Sequence, residues 1–446
     1  IFLIGISTVL ILIIGLRINA FIALITAGLV VGILSPEVQL DAAMVEAGRI
    51  FGETAGKIGI VIALAAVIGQ CLMESGAADK ITRRIVSMFG ERFSSLSMLA
   101  SGYVLSIPVF FDTVFYLLIP LARALRVRTG KNYLLYVMAI CAGGAVTHSM
   151  VPPTPGPVAV ASEFGLDLGI VILIGICVGF PASLVGWLYG IYINRKMDIG
   201  LREAPGLSMD ELKELAFKPD QELPGFFIST LPIALPILFI TSKTIVDALG
   251  SGTHLAQITG FLGNPNFALL ISTAVALIIL ANQKRYTLKQ LAKPVETGLS
   301  NGGIIILITS AGGAFGGMLK LAGVGEALQG FSNQFGVSIL WMGFLLAVLF
   351  KIAQGSGTVA MITSASITVQ LIDDSSLPFH LVYVVMAIGA GSKVGSWMND
   401  SGFWVVKQMS GMTEIETLKT WTVQLSLMGI AGFIITLFLS WLFPMV

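Results

Sequence analysis

Five ionisable side chains stand inside stretches that are otherwise apolar: Asp112, His148, Lys351, Lys393 and Asp400. A charged side chain at the centre of a bilayer costs about 2.5–3.5 kcal/mol on insertion scales, so one kept there marks a functional site by default. Asp112 is the first candidate proton carrier and His148 the second. The structural alternative for Asp112 is a cap on the helix that follows it. For His148 it is a buried imidazole bonded to backbone. Lys351 and Lys393 can each pair with a substrate carboxylate, or can neutralise Asp112 or Asp400 in a structural ion pair. Asp400 and its neighbour Asn399 can cap a helix or bind polar groups of a ligand.

These residues fall in four motifs. They are Ile107-Pro108-Val109-Phe110-Phe111-Asp112-Thr113, Thr147-His148-Ser149-Met150-Val151-Pro152-Pro153-Thr154, Gly355-Ser356-Gly357-Thr358 and Gly395-Ser396-Trp397-Met398-Asn399-Asp400-Ser401. Helix N-termini offer unpaired N–H groups and a positive dipole end, which suit a carboxylate. The motifs are expected to converge on one site for a small organic anion. The candidate substrate-binding residues are Phe111, Thr113, His148, Ser149, Pro153, Thr154, Lys351, Ser356, Gly357, Thr358, Ser396, Asn399, Asp400 and Ser401, with Asp112 and His148 coupling a proton. Phe110, Phe111, Trp397 and Phe403 read as packing, with an aromatic wall against a polyol as the alternative. Ser356, Thr358 and Asn399 could instead supply hard oxygen ligands to sodium.

The elements that position these motifs must cross a membrane. Apolar types make up 55% of the 446 residues and charged types 11%, against roughly 25% charged in an ordinary soluble domain. The net charge of +1 gives no reason to expect nucleic acid. Apolar runs at about 1–16, 19–34, 56–75, 132–150, 168–193, 225–248, 265–282, 301–319, 379–397 and 420–443 approach the ~20 residues of a spanning helix. The opening run lacks a basic leader and reads as the first span. The absence of an initiator methionine predicts residues upstream of it. Two further stretches, about 94–126 and 337–370, are interrupted, the first by Pro108 and Asp112, the second by Lys351 and Gly355. Arms of about 14 residues reach ~21 Å, short of a ~30 Å hydrocarbon core, so each stretch is expected to be a re-entrant hairpin. The runs from about 132 and 379 break at Pro152-Pro153 and Asn399-Asp400. Such breaks are tolerated at membrane depth where they line protein or a wet cavity.

An internal repeat organises these parts. Gly56 to Ile81 aligns with Gly303 to Leu328, and the same offset sets Gly69 on Gly316, Gly76 on Gly323, Gly144 on Gly391 and Pro153 on Asp400. Each half reads span, span, span, hairpin, broken helix, span. Five crossings per half make the second copy inverted. The expected fold class is all-α, a polytopic membrane protein with an inverted-topology repeat, two re-entrant hairpins and two broken helices. Residues 1–194 form the first repeat and 225–446 the second. The polar 195–224 segment joins them as a cytoplasmic linker with a short helix at about 208–217. This threading puts 20 of the 26 Lys and Arg on one side. The positive-inside rule makes that side cytoplasmic, with both termini outside. His254 and His380 fall in loops. Cys71, Cys141 and Cys177 show no metal-ligand or paired spacing and read as small core residues. Enzyme signatures are absent: no His-Glu-x-x-His, and Gly130-Lys131 lacks the rest of a phosphate loop. Gly312-Gly313 and Gly316-Gly317 suit close helix packing.

Taken together, the chain resembles the gluconate:proton symporter family of the ion transporter superfamily over nearly its whole length. Phe110-Phe111-Asp112 through Ile119-Pro120-Leu121, Thr147-His148 with Pro152 to Pro157, Gly355 to Ala360, and Asn399-Asp400-Ser401-Gly402-Phe403-Trp404 carry the resemblance. It implies import of a small hydroxy-carboxylate, such as a gluconate-like sugar acid, by proton symport across the inner membrane. It also implies a homodimer; no cofactor and no metal are expected. The alternatives are a sodium-coupled carrier, a permease for D-serine or another small amino or organic acid, and a passive anion channel. Asp112 stands where the family usually has glutamate, Thr154 where it often has histidine and Ser401 where a proline often follows Asn-Asp. Lys351 replaces a frequent arginine, and Lys393 a small residue.

Overall fold

The computed structural model describes residues 1–16, 18–39, 42–90, 93–197, 199–202, 222–249, 254–323, 338–372 and 377–445. The expected 208–217 helix lies outside them. Every element among the described residues is helical. Seven helices are long and apolar enough to cross a membrane.

α1 (Phe2–Leu10) runs on into a wider turn at Ile11–Gly15, and α2 (Ala20–Leu34) starts where the Asn19 side chain accepts from the Phe21 N–H. α3 (Ala43–Glu74) is much longer than its apolar run. Its early turns carry Glu46, Arg49, Glu53 and Lys57, which read as loop by hydropathy. Arg49 bridges Glu46 at 2.8 Å and also pairs with Glu53, the i,i+3 and i,i+4 contacts that support a polar helix face. Gly76, at φ +77°, turns the chain into α4 (Ala77–Phe89).

α5 (Ser94–Leu105) and α6 (Phe111–Thr129) form the first interrupted pair. The arms are unequal, not the matched 14-residue arms expected. α6 continues through Pro120 to buried Arg123, which donates to the carbonyls of Arg202 (3.0 Å) and Met409 (3.2 Å). α7 (Tyr133–Met150) stops at Val151, and Pro155 opens α8 (Pro155–Glu163) at a position where its missing N–H costs nothing. The best apolar stretch of this pair is 94% buried, so it is a core element without a lipid face. α9 (Leu168–Lys196) is capped by Asp167.

The second half opens with α10 (Phe226–Ala248), α11 (His254–Leu262) and α12 (Pro265–Lys284). His254 is thus the first residue of a helix and not a loop residue. α13 (Leu288–Leu321) starts with a capping box between Thr287 and Gln290, again well before its apolar run. Gly323, at φ +65°, repeats the turn made by Gly76. α14 (Ile339–Gln354) and α15 (Gly357–Thr368) are separated by two residues only. α16 (Val382–Gly391) ends before the expected run does, and α17 (Ser401–Ser410) follows after a long break. α18 (Glu414–Leu442) completes the chain. Cys177 is exposed, unlike buried Cys71 and Cys141, because α9 turns that side away from the core.

α3 and α13 cross in contact and run antiparallel. A methyl on Gly298 would meet Val67, one on Gly59 Ile306, one on Gly313 Thr54 and one on Gly317 Ile50. Gly312 and Gly316 face the other way, towards Ile362 and Ser366 of α15. Small residues here let backbones approach closely. α5 and α7 are tighter still: a Cβ on Gly143 would sit 2.7 Å from the Tyr103 nitrogen and overlap the Leu99 carbonyl. Gly143→Ala is therefore expected to lower stability by about 1–3 kcal/mol, the usual cost of overpacking. Gly52→Ala, where an added methyl meets nothing within 4 Å, should leave stability unchanged or raise it by up to about 1 kcal/mol. Thermal unfolding of the purified variants in detergent checks both.

Candidate functional site

The two hairpin tips and the two helix breaks surround one cavity of about 700 Å³. The first tip approaches because α3 offers a glycine: a Cβ on Gly69 would lie 3.0 Å from the Pro108 carbonyl oxygen. Phe110 is the N-cap of α6, so Asp112 is its second residue and its carboxyl is not a cap. Asp112 makes no hydrogen bond or ion pair among the described residues. The second tip depends on Gly355. Its φ of +88° favours glycine, and a Cβ there would overlap the Asn399 carbonyl oxygen. The Ser356 hydroxyl accepts from Val359 N (3.3 Å) and caps α15. Gly357 and Thr358, the first residues of α15, line the cavity, where first-turn N–H groups have no helical partner.

The second break is held by a buried ion pair. Lys351 Nζ lies 2.8 Å from Asp400 Oδ2, with the residues 2% and 8% exposed. Lys351 also donates to the Gly355 carbonyl. Asp400 Oδ2 accepts from the Ser396 hydroxyl, and its Oδ1 accepts from Gly402 N at 3.1 Å, capping α17. Ser396 in turn accepts from Trp421 Nε1 at 2.8 Å, and the Trp421 ring lies tilted against Phe111 with centroids 5.1 Å apart. One chain of contacts thus joins both hairpins to the second break and α18. Every first-choice acceptor of Lys351 is protein.

Lys393 differs. It is 6% exposed and faces the cavity, yet its ammonium makes no ion pair or hydrogen bond among the described residues. A Cβ on Gly357 would sit 3.9 Å from its ammonium, so the cation lies beside the N-terminus of α15. His148 stands edge-on to Phe110 with centroids 6.0 Å apart, and its Nδ1 is buried without a partner. The backbone bond expected as its structural alternative is not made.

Of the residues singled out by sequence, Phe111, Asp112, Thr113, His148, Ser149, Lys351, Ser356, Gly357, Thr358, Asp400 and Ser401 line this cavity. Pro153, Thr154, Ser396 and Asn399 are not among its lining. Thr154 bonds the Val151 carbonyl at 2.6 Å, and the Asn399 amide bonds the Ile352 carbonyl at 2.7 Å, so both shape the breaks. Phe110, Ala145, Lys393, Gly402, Asn301, Ile304, Ile305, Trp421 and Leu425 complete the wall. Asn301, a polar residue opening an apolar run, was the visible signal. Trp421 and Leu425 gave none. No cluster of three His, Cys, Asp or Glu that could hold a metal occurs among the described residues.

The family model of the GntP family permeases matches residues 1–442. A gluconate permease of Pseudomonas aeruginosa is 34% identical over 444 residues, which cover 98% of this chain and 96% of that protein. The Gnt-II system L-idonate transporter of Escherichia coli is 30% identical, covering 96% and 95%. An uncharacterized permease of Haemophilus influenzae is 35% identical, covering 96% and 90%. Among solved structures, the YdaH transporter of Alcanivorax borkumensis, described as having an unusual topology, matches with a TM-score of 0.67 at 14% identity, over 95% of this chain and 98% of that one. That likeness concerns the fold alone.

Removing one partner of a buried ion pair leaves the other charge uncompensated, at a cost of about 3–5 kcal/mol. Lys351→Met and Asp400→Asn should each destabilise the purified protein on that scale. The double variant should recover most of the loss, and a double-mutant cycle on thermal unfolding measures the difference.

Proposed function

The chain belongs to the GntP permease family, and from that premise we propose that this multi-pass membrane protein imports a small hydroxy-carboxylate of the gluconate kind together with a proton. The observation that carries the reading is Lys393, a buried cation whose ammonium has no ion-pair partner among the described residues, set against a helix N-terminus in a cavity of about 700 Å³. A substrate carboxylate would pair with Lys393 and the first N–H groups of α15. Charge-assisted hydrogen bonds of this kind are about twice as strong as neutral ones. Thr113, Ser149, Thr358 and Ser401 line the same space and present hydroxyls to a polyol chain.

Charge balance gives the proton its role. Lys351 and Asp400 cancel each other. Lys393 and Asp112 remain, so the empty cavity is neutral with His148 neutral. A bound monoanion leaves it at −1, and a proton on Asp112 restores neutrality. Moving an unbalanced charge into a low-dielectric interior is costly, so the loaded site travels most easily with both passengers. Sodium is less well served. Of its three expected ligands, Ser356 is engaged by the α15 cap, and Asn399, whose Oδ1 has no partner, is not among the cavity's lining.

The inverted repeat belongs to the same proposal. Gly59 of α3 meets Ile306 of α13, and the repeat offset makes these two residues counterparts. Antiparallel helices that cross at equivalent positions support a two-fold axis lying in the membrane plane, the plan of many secondary transporters. With it go a first repeat at 1–194, a second at 225–446 and both termini outside.

Two outcomes follow. Lys393→Met should raise the gluconate concentration needed for half-maximal counterflow in proteoliposomes by about ten- to a hundredfold, the scale of a charge-assisted hydrogen bond. Asp112→Asn should still exchange gluconate but lose the stimulation by an imposed inward proton gradient. Unaltered proton dependence in Asp112→Asn would remove the coupling role.

A further inference from the structure

A second cavity, of about 890 Å³, lies on the other side of the α3–α13 crossing. Arg49, Lys57 and Lys320 are its cations, and Glu53 and Glu163 its carboxylates. Arg49 is committed to Glu46 and Glu53. The side chains of Lys57, Lys320 and Glu163 make no ion pair or hydrogen bond among the described residues. The uncommitted charge of this cavity is therefore two cations against one carboxylate. Gly313 and Gly317, against Thr54 and Ile50, form its floor.

The repeat relates this cavity to the central one. The offset that sets Gly59 on Ile306 also sets Thr54 on Asn301 and Lys57 on Ile304. Asn301 and Ile304 wall the central cavity on α13, while Thr54 and Lys57 wall the second cavity on α3. The two spaces thus occupy equivalent places at opposite ends of the crossing. Chemistry distinguishes them: a lysine stands in one where an isoleucine stands in the other.

We propose that this cavity is a second carboxylate site, where Lys57 and Lys320 gather the anionic substrate before it reaches the central cavity. The proposal rests on the transport reading given above. Both lysines are solvent-exposed, so the site is weak and salt-sensitive. Glu163 is the built-in competitor for the same cations and limits how firmly a carboxylate can stay.

Lysine footprinting tests the site without reference to transport. The purified protein is acylated with a water-soluble succinimidyl ester, and modification of Lys57 and Lys320 is read by mass spectrometry. Gluconate should slow both modifications, whereas glucitol, the uncharged polyol of the same skeleton, should not. Glu163→Gln should lower the gluconate concentration needed for protection by about threefold, the scale of one partly solvated charge contact. Equal labelling in gluconate and glucitol overturns the proposal. Lys57→Gln and Lys320→Gln should raise half-saturation about threefold for flux entering from the second-cavity side, and leave it unchanged from the other. An equal loss from both sides also overturns it. Absence of gluconate counterflow by the wild type would sink the transport reading alone, since the footprint still decides the cavity.

Discussion

The Lys351–Asp400 pair is the contact on which the rest of the site depends. Each charge would be prohibitive alone in so dry a place. Together they persist because their remaining donors and acceptors are met by Gly355, Ser396 and Gly402. Those partners require particular backbone. Gly355 must take a positive φ beside the Asn399 carbonyl, and a Cβ on Gly402 would press to 3.0 Å on the Trp421 ring. One ion pair therefore fixes the turn between α14 and α15, starts α17 and seats Trp421 against Phe111. Its further effect is by subtraction. With Lys351 satisfied, Lys393 is left as the buried cation of the cavity.

The two halves share parts but not seats. Gly76 and Gly323 make the same turn, and α3 and α13 meet at equivalent residues. The hairpins sit differently. Gly69 of α3 faces Pro108 and Val109, at the first tip, whereas its counterpart Gly316 faces Ser366, well along α15. Symmetry would have set Gly316 against Ser356. The displacement is about ten residues, or about 15 Å of helix. This inequality matches the one-sided wall of the central cavity, to which α13 contributes three residues and α3 none.

Much of this was legible in the sequence because it rests on local chemistry. Proline and glycine placed the hairpin tips and the breaks. The extents of α3 and α13 were not legible, because their first turns carry charges that hydropathy scores as loop. Asp112 could be taken for a cap since caps and second helical residues differ by a boundary shift of two. The structure puts Phe110 at the cap position. Which lysine would be free was not decidable either. Both precede small, polar segments, and only tertiary contact shows that Asp400 lies 2.8 Å from Lys351 while Lys393 forms no ion pair among the described residues. The Trp421 wall comes from a distant helix and leaves no local mark.

The placement of cations follows a requirement of transport. A carrier must hold its substrate firmly enough to select it and loosely enough to pass it on. A buried charge does the first, because little water competes and the field is unscreened. An exposed charge does the second, since its attraction is weak and reduced by salt. Lys393 is 6% exposed and makes no ion pair among the described residues, whereas Lys57 and Lys320 are exposed and share their cavity with Glu163. On the proposed reading, a single interaction, ammonium with carboxylate, is graded by burial and by the nearness of an internal rival. In the proposed repeat, equivalent places on α3 and α13 would hold both kinds of site, with the side chains at those places making one tight and the other loose.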